Sequence, residues 1–568
     1  MKYWRINLIL ILIFIFGAAV MARLIFLQII DHEFYSALAK GQQKVFAREL
    51  GDRGDIFSQD KNDNLYKLAT NKEWSLVYIS PKEQSFSPKE LKETSAILGQ
   101  ILNISEDIIL EKFKKDSLYE LIKTKLTDKE VDDLEGVNLA GVYLRIETGR
   151  YYPQEDFLSQ VVGFLGGGGD GQYGIEEYWD KVLKGETLTL EGEKGPGGFF
   201  FFNQEASSGA DLVLTIDYNV QYQAEKLLKN AKKNLDIERG QIIVMDPSSG
   251  EIISLANFPN FDPNEYEDYA LKGNLEIFQN GAIQKIFEPG SVFKAITTAA
   301  ALNENKIDHQ MTYIDQGKVK IGGYTIYNYD ERVWGERTMT EVLERSINTG
   351  AVFIQSKIAH SVFLNYIERF GIFNKTGIDL PGEVFSQNEE LKKGYEINFA
   401  TASFGQGIDM TPLGLVRAYS VIANDGKLVV PYIVEKITKD DKIIETNQPQ
   451  ISKERVISSE TSSKLSAMLV SVVENGFTKS ARIPGYYIAG KTGTSQISWS
   501  ALGVKKSGYS EKTIQSFIGF FPAFNPQFLI LVKLDDPETK TAEYSAVPVF
   551  QELAKYIIDY YQIPPDYE

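Results

Sequence analysis

Ser291 and Lys294 stand three residues apart in Phe287-Glu288-Pro289-Gly290-Ser291-Val292-Phe293-Lys294. Pro289-Gly290 predicts a turn, and the alanine-rich run 295–302 predicts a helix. Ser291 then opens that helix, with Lys294 one turn later on the same face. The positive end of the helix dipole favours negative charge developing on the serine oxygen. A lysine amine held beside that oxygen can take its proton if burial or a neighbouring cation depresses its pKa. So short a motif also fits an ordinary solvated helix start.

Two further segments offer partners. In Leu343-Glu344-Arg345-Ser346-Ile347-Asn348-Thr349-Gly350, Ser346 and Asn348 can point to one side of a turn while Ile347 points into the core. Ser and Asn are equally at home as helix caps. In Gly490-Lys491-Thr492-Gly493-Thr494, Lys491 supplies a fixed positive charge and Thr492 a hydroxyl for a substrate carboxylate. Gly493 lets a peptide backbone approach an edge strand for strand addition. Simple alternation puts Lys491 and Thr492 on opposite faces, so both act only if the strand is an edge or locally twisted.

The stretch 485–492 also matches a phosphate-binding loop letter for letter. Context rejects it. Tyr486, Tyr487, Ile488 and Ala489 favour an extended strand, and Gly493 is a poor second helical residue.

The elements around these residues set an order. A strand at 211–216 opens a new domain after a linker at 206–209. Strands 241–245 and 251–255 flank Asp246-Pro247-Ser248-Ser249-Gly250, a hairpin signature. Helical patterns fill much of 292–430, and strands return at 486–489, 516–520 and 528–534. Strands first, helices in the middle and strands last predict one α+β domain whose sheet joins both chain ends. Residues 45–200 mix strands and helices without a repeat, with glycine-rich turns at 166–171 and 193–198.

At the N-terminus, Lys2 and Arg5 precede residues 6–22, which carry no charge and only Asn7 as a polar residue. At about 1.5 Å per residue such a helix nearly crosses a bilayer core of about 30 Å. Arg23 can snorkel, and 24–30 continue the apolar face. The basic tail 1–5 stays cytoplasmic, and everything after about residue 30 lies outside the cytoplasmic membrane, beginning with a short helix at 32–43. Gly17, Ala18, Ala19 and Ala22 would also suit a cleaved signal peptide, but the apolar run is longer than a usual signal core.

The 568-residue chain has a formal net charge of −17, which argues against nucleic acid as a partner. It has no cysteine, which excludes thiol nucleophiles, zinc thiolate sites and disulfides. Its three histidines, His32, His309 and His360, fall in unrelated contexts. A serine enzyme built here needs a base other than histidine.

Taken in order, S-x-x-K at 291–294, S-x-N at 346–348 and K-T-G at 491–493 resemble the signature set of penicillin-binding proteins and serine β-lactamases. The chain is similar to class B penicillin-binding proteins almost from end to end. Leu214-Thr215-Ile216-Asp217, Asp246-Pro247-Ser248-Ser249-Gly250-Glu251, Phe404-Gly405-Gln406-Gly407 and Thr411-Pro412 resemble that family's catalytic-domain flanks. Arg53-Gly54, Leu68-Ala69-Thr70-Asn71, Arg150-Tyr151-Tyr152-Pro153 and Gly174-Ile175-Glu176 resemble its non-catalytic pedestal motifs. Ser58-Gln59-Asp60-Lys61 departs from the pattern there. The stretch 490–496 with 516–523 resembles the division (FtsI-like) branch more than the elongation branch. No glycosyltransferase domain fits in the first 200 residues.

The resemblance implies a transmembrane helix at 6–30 and an α+β, dimerisation-type pedestal at 31–205. A β-lactamase-like transpeptidase domain with a helix-flanked antiparallel sheet would follow at 206–568. It implies a D,D-transpeptidase acting on peptidoglycan stem peptides ending in D-Ala-D-Ala, inhibited by β-lactams and needing no metal or cofactor. Ser291 would be the nucleophile, Lys294 its base and Ser346 the proton relay. Asn348 would hold the peptide, and Lys491 with Thr492 its carboxylate. The N–H groups of Ser291 and Thr494 would form the oxyanion hole, about 3 kcal/mol per donor. The implied membrane partner is an FtsW-like glycan polymerase, with Arg53 and Glu176 either facing it or holding the pedestal together. A D,D-carboxypeptidase, β-lactamase or penicillin sensor would share the three motifs. The anchor and large pedestal weigh against the first two, and the short cytoplasmic tail against a sensor.

Overall fold

The computed structural model describes residues 44–82, 87–137, 139–185, 187–194, 200–201, 207–499 and 501–568, with positions 14, 16, 17, 20 and 21. Apart from those five positions, the predicted anchor 6–30 lies outside the described residues, as do the predicted helix 32–43 and residues 195–198. Among the described residues no helix is long and apolar enough to cross a membrane.

The chain falls into two compact units, 1–54 with 184–209 and 55–183 with 210–568. In the first, Thr187–Lys194 is the middle strand of a three-stranded antiparallel sheet, between Lys44–Leu50 and Phe200–Phe201.

The second unit holds two large sheets. Their strands begin with β1 (Ile56–Gln59), β2 (Leu65–Ile79), β3 (Glu120–Lys123), β4 (Val142–Tyr151), β5 (Asp211–Asp217) and β6 (Arg239–Met245). They continue with β7 (Ile252–Phe258), β8 (Val434–Lys439), β9 (Lys442–Thr446), β10 (Ala489–Ser498), β11 (Tyr509–Phe521) and β12 (Phe528–Asp535). One sheet runs β9-β8-β5-β1-β2-β3, with β4 also paired to β2. Its hinge is β5, the strand predicted to open the catalytic domain. β5 lies parallel to β1 and antiparallel to β8, so it unites residues 56–151 with 434–446. The departing stretch at 58–61 still makes the β1–β2 turn, because the Asp60 carboxylate accepts the amides of Asn62 at 2.8 Å and Asn64 at 3.0 Å.

The other sheet is antiparallel, in the order β7-β6-β12-β11-β10. The predicted joining of both chain ends is present: Ile243 faces Leu531 across β6–β12. Ile242, Val244, Phe517, Ile530 and Val532 pack with helices α1 (Tyr218–Leu235) and α6 (Ala546–Tyr561). Ile243, Met245, Ile518, Phe520 and Leu531 pack with α2 (Lys294–Asn303), α4 (Pro412–Ala423) and α5 (Ser459–Asn475). Each of these buried side chains stabilises the fold by about 1.5–3 kcal/mol. Both faces are covered, so the strands read as unbroken apolar runs rather than alternation.

The predicted hairpin closes as β6–β7, with Gln241 opposite Asn257. Its turn ends at Gly250, whose φ is +90°; a Cβ there would stand 2.5 Å from the Val430 carbonyl oxygen. Two local expectations change. The strand predicted at 486–489 begins only at Ala489. Before it, Tyr486 is drawn off by the C-terminal tail, its hydroxyl donating to the Ile563 carbonyl at 2.6 Å. Within the helical stretch 292–430 lies a β excursion, with Thr312–Asp315 paired to Gly335–Thr338 and Lys318–Ile321 to Tyr324–Tyr327. Gly322 and Gly323 both adopt positive φ and close the inner hairpin, as a two-residue turn of this hand requires.

Burial favours the structural account of two pedestal residues. Glu176 is 0% and Arg53 8% exposed, so both side chains are buried. Arg150 Nε lies 2.7 Å from Glu176 Oε1, and the Tyr152 hydroxyl donates to the same oxygen at 3.3 Å. These residues hold the fold together.

Candidate active site

Ser291 sits on a single 3₁₀ turn, Gly290–Phe293, that runs straight into α2. Gly290 starts it at φ +63°, and its amide donates to the Gly405 carbonyl at 3.0 Å. Lys294, the first residue of α2, is 1% exposed, and its Nζ lies 3.0 Å from Ser291 Oγ. The one-turn spacing in the sequence becomes a direct contact.

The second motif closes over that amine. Ser346 adopts φ +52°, a left-handed conformation that costs a non-glycine residue of order 1 kcal/mol or more. The kink turns the Ser346 carbonyl oxygen to 2.6 Å and its hydroxyl to 3.2 Å from Lys294 Nζ. Ile347 is buried in the core, as its place between two polar residues predicts. Asn348 begins α3 (Asn348–Gln355). Its Nδ2 donates to the Tyr327 carbonyl at 3.1 Å, which presents Oδ1 to Lys294 Nζ at 2.8 Å.

The third motif lies on β10, an edge strand of its sheet among the described residues. That resolves the two-face problem. Lys491 points inward, is 1% exposed, and donates to Ser346 Oγ at 3.0 Å. Thr492 and Thr494, one residue either side of Gly493, line the cleft on the other face. At Gly493 a Cβ would meet Ser516 Oγ at 2.5 Å and the Pro289 carbonyl oxygen at 2.8 Å. Glycine there lets β10 pack against the serine's own turn. Ser495 Oγ reinforces the same contact by donating to the Glu288 carbonyl at 2.8 Å.

Burial pushes the Lys294 amine well below its usual range, and the neighbouring Lys491 charge pushes it further. Burial alone pushes Lys491 down to about 7. A neutral amine has two N–H donors and one lone pair. The Ser346 carbonyl and Asn348 Oδ1 are pure acceptors and use both donors. The lone pair is left for a serine hydroxyl hydrogen, which is what a general base for Ser291 requires.

The cleft occupies about 1130 Å³ and is lined by Ser291, Asn348, Thr492, Thr494 and a wall from the excursion 324–334. That is room for an extended peptide. His309 and His360 do not line it; His360 stacks on Phe399 at 3.9 Å. Among the described residues no group of three or more His, Asp or Glu could hold a metal.

Sequence reasoning missed the support of the second motif. Asp315, 2% exposed, accepts Thr349 Oγ1 at 2.6 Å, Trp334 N at 2.8 Å, and Gly317 N and Asn328 Nδ2 at 3.0 Å. Thr349 follows Asn348 directly, so this carboxylate fixes the start of α3. The Gly322-Gly323 pair was the available signal for the excursion that carries it.

Two family models match the chain. The penicillin binding protein transpeptidase domain family matches residues 240–555, and the penicillin-binding protein dimerisation domain family matches 48–214. Stage V sporulation protein D of Bacillus subtilis is 33% identical over 93% of this chain and 82% of its own length. A peptidoglycan D,D-transpeptidase FtsI homolog of Mesostigma viride is 28% identical over 99% of this chain and 96% of its own. Penicillin binding protein 3 of Mycobacterium tuberculosis, solved with aztreonam, shares the fold at a TM-score of 0.68 and 24% identity. The match covers 91% of this chain and 98% of that one.

Proposed function

The chain belongs to the class B penicillin-binding proteins, and we propose that it is a serine D,D-transpeptidase that cross-links peptidoglycan through an acyl-enzyme on Ser291. The observation that carries this is Lys294 Nζ, 3.0 Å from Ser291 Oγ with both its N–H groups engaged by pure acceptors. Lys294 takes the hydroxyl proton as Ser291 Oγ attacks the penultimate D-Ala carbonyl of a stem peptide. The N–H groups of Ser291 and Thr494 hold the resulting oxyanion. Collapse breaks the peptide bond, and terminal D-Ala leaves with a proton relayed by Ser346, whose hydroxyl lies between Lys294 and Lys491. Asn348 holds the peptide, and Lys491 with Thr492 holds its terminal carboxylate. The amine of a neighbouring stem peptide attacks the ester and gives a proton by way of Lys294 to Ser291 Oγ as the acyl–oxygen bond breaks, which forms the cross-link and frees Ser291. A β-lactam enters as the peptide's mimic and stays on the serine.

Anchoring by 6–30 places residues 31–205 as a pedestal outside the membrane, raising the catalytic domain 206–568 toward the wall and docking an FtsW-like polymerase. Relatives named FtsI homologs support a septal role. The 33% identity to stage V sporulation protein D favours a second assignment, the same chemistry in spore formation. Depletion separates them: blocked septa support the first, a defect confined to sporulation the second, and rounded cells would contradict both. The chemistry is tested with fluorescent penicillin. Ser291→Ala should lose all labelling while melting like the wild type, and release of D-Ala without cross-linked product would point to a carboxypeptidase.

A further inference from the structure

Beside the catalytic cluster the cleft carries a guanidinium that no carboxylate among the described residues neutralises. Arg345 immediately precedes Ser346 and lines the same cleft. Its guanidinium lies 5.0 Å over the Trp334 ring. Its Nε is buried without a hydrogen-bond partner, and among the described residues no carboxylate pairs with it. Two nearby arginines differ in pairing with a carboxylate, although the Arg337 Nε is also buried without a partner. Arg337 pairs with Glu341 at 3.2 Å, and Arg332 with Asp330 at 3.2 Å. Trp334 in turn meets Phe477 at 6.2 Å, so the ring beneath the arginine is backed by a second aromatic. A guanidinium held over an indole face gains cation–π attraction, and its planar fork suits bidentate contact with a carboxylate. Leaving a donor buried and unpaired is costly in the free protein. A ligand that brings an acceptor relieves that cost. The terminal carboxylate of the donor peptide is already assigned to Lys491 and Thr492, so a second cation calls for a second anion.

We propose that Arg345 binds a second carboxylate of the donor stem peptide, carried upstream of the D-Ala-D-Ala end, and so selects among stem peptides. This rests on the transpeptidase assignment of the same cleft. The carboxylate has two possible sources: the free α-carboxylate of a γ-linked glutamate at the second position, or the side-chain carboxylate of a diamino diacid at the third.

The test uses the full chain in detergent and four synthetic pentapeptides, with both carboxylates free, each amidated in turn, and both amidated. The readout is D-Ala release. Amidation of one position should lower kcat/KM roughly tenfold, mostly through KM, and which position does so identifies the source. Arg345→Gln should bring the acid-to-amide ratio close to one. Arg345→Lys, with charge but no fork, should keep part of the preference. Equal turnover of all four peptides by the wild type would overturn the proposal, as would an undiminished preference in a folded Arg345→Gln protein. If Arg345→Gln fails to fold, the wild-type series still decides. Failure to release D-Ala from any peptide, with no penicillin on Ser291, would instead remove the transpeptidase assignment.

Discussion

Oδ1 of Asn348 stands 2.8 Å from Nζ of Lys294, held there because the other end of the same amide donates to the Tyr327 carbonyl. A neutral acceptor at this point orients the amine without charging it. Asn348→Asp puts an anion in its place and stabilises the ammonium form. Once the Lys294 pKa exceeds the working pH, acylation should fall roughly tenfold for each further unit, and recover as pH increases. Stopped-flow acylation by a chromogenic cephalosporin across pH measures this; an unmoved acid limb would contradict it.

The two lysines set opposite pH limits. Burial and the Lys491 charge depress the Lys294 pKa, and the rate rises as pH passes upward through that value and frees the base. Burial places Lys491 at about 7, and carboxylate recognition weakens as pH rises past it. The pair titrates together, so the profile reports macroscopic values. Second-order acylation should be bell-shaped with an alkaline limb near 7. Lys491→Met should lower the rate, remove the alkaline limb and move the acid limb up, since the repulsion on Lys294 is gone.

Asp315 should be a stability and positioning residue at once. Asp315→Ala leaves the Thr349 hydroxyl, the Trp334 and Gly317 amides and the Asn328 side chain without their shared acceptor. A loss of about 3 kcal/mol is expected in urea denaturation, with slower acylation in the fraction that stays folded. Wild-type stability with wild-type acylation would show that α3 is positioned by other contacts.

The buried Arg150–Glu176 pair gives a third kind of outcome. Glu176→Lys leaves two buried cations together and should destabilise the protein by about 3–5 kcal/mol. Penicillin binding per folded molecule should persist, since neither residue lines the cleft. A variant that melts normally but loses stimulation of a membrane polymerase would return Glu176 to a partner surface.

Local chemistry was legible in the sequence where it depends on short spacing. Ser291 and Lys294 are one helical turn apart, which puts them on one face of the predicted helix. The apolar runs of β6 and β12 were also legible as strands that join both chain ends. What could not be read depends on distant segments meeting. Lys491 and Thr492 both serve the cleft only because β10 is a sheet edge, which alternation does not reveal. Tyr486 to Ile488 have strand propensity, yet the C-terminal tail competes for them. Asp315 and Arg345 looked like ordinary charged residues. Their importance lies in what surrounds them: four donors around the first and, among the described residues, no carboxylate paired with the second.

The central claim is a covalent acyl group on one serine. The most direct measurement is intact mass spectrometry of the full chain incubated with benzylpenicillin, followed by proteolytic mapping of the adduct. A single penicilloyl group per chain is expected, on the peptide that contains Ser291. None is expected in Lys294→Ala protein whose melting curve matches the wild type. Label on a different serine, or no adduct on correctly folded wild-type protein, would contradict the claim.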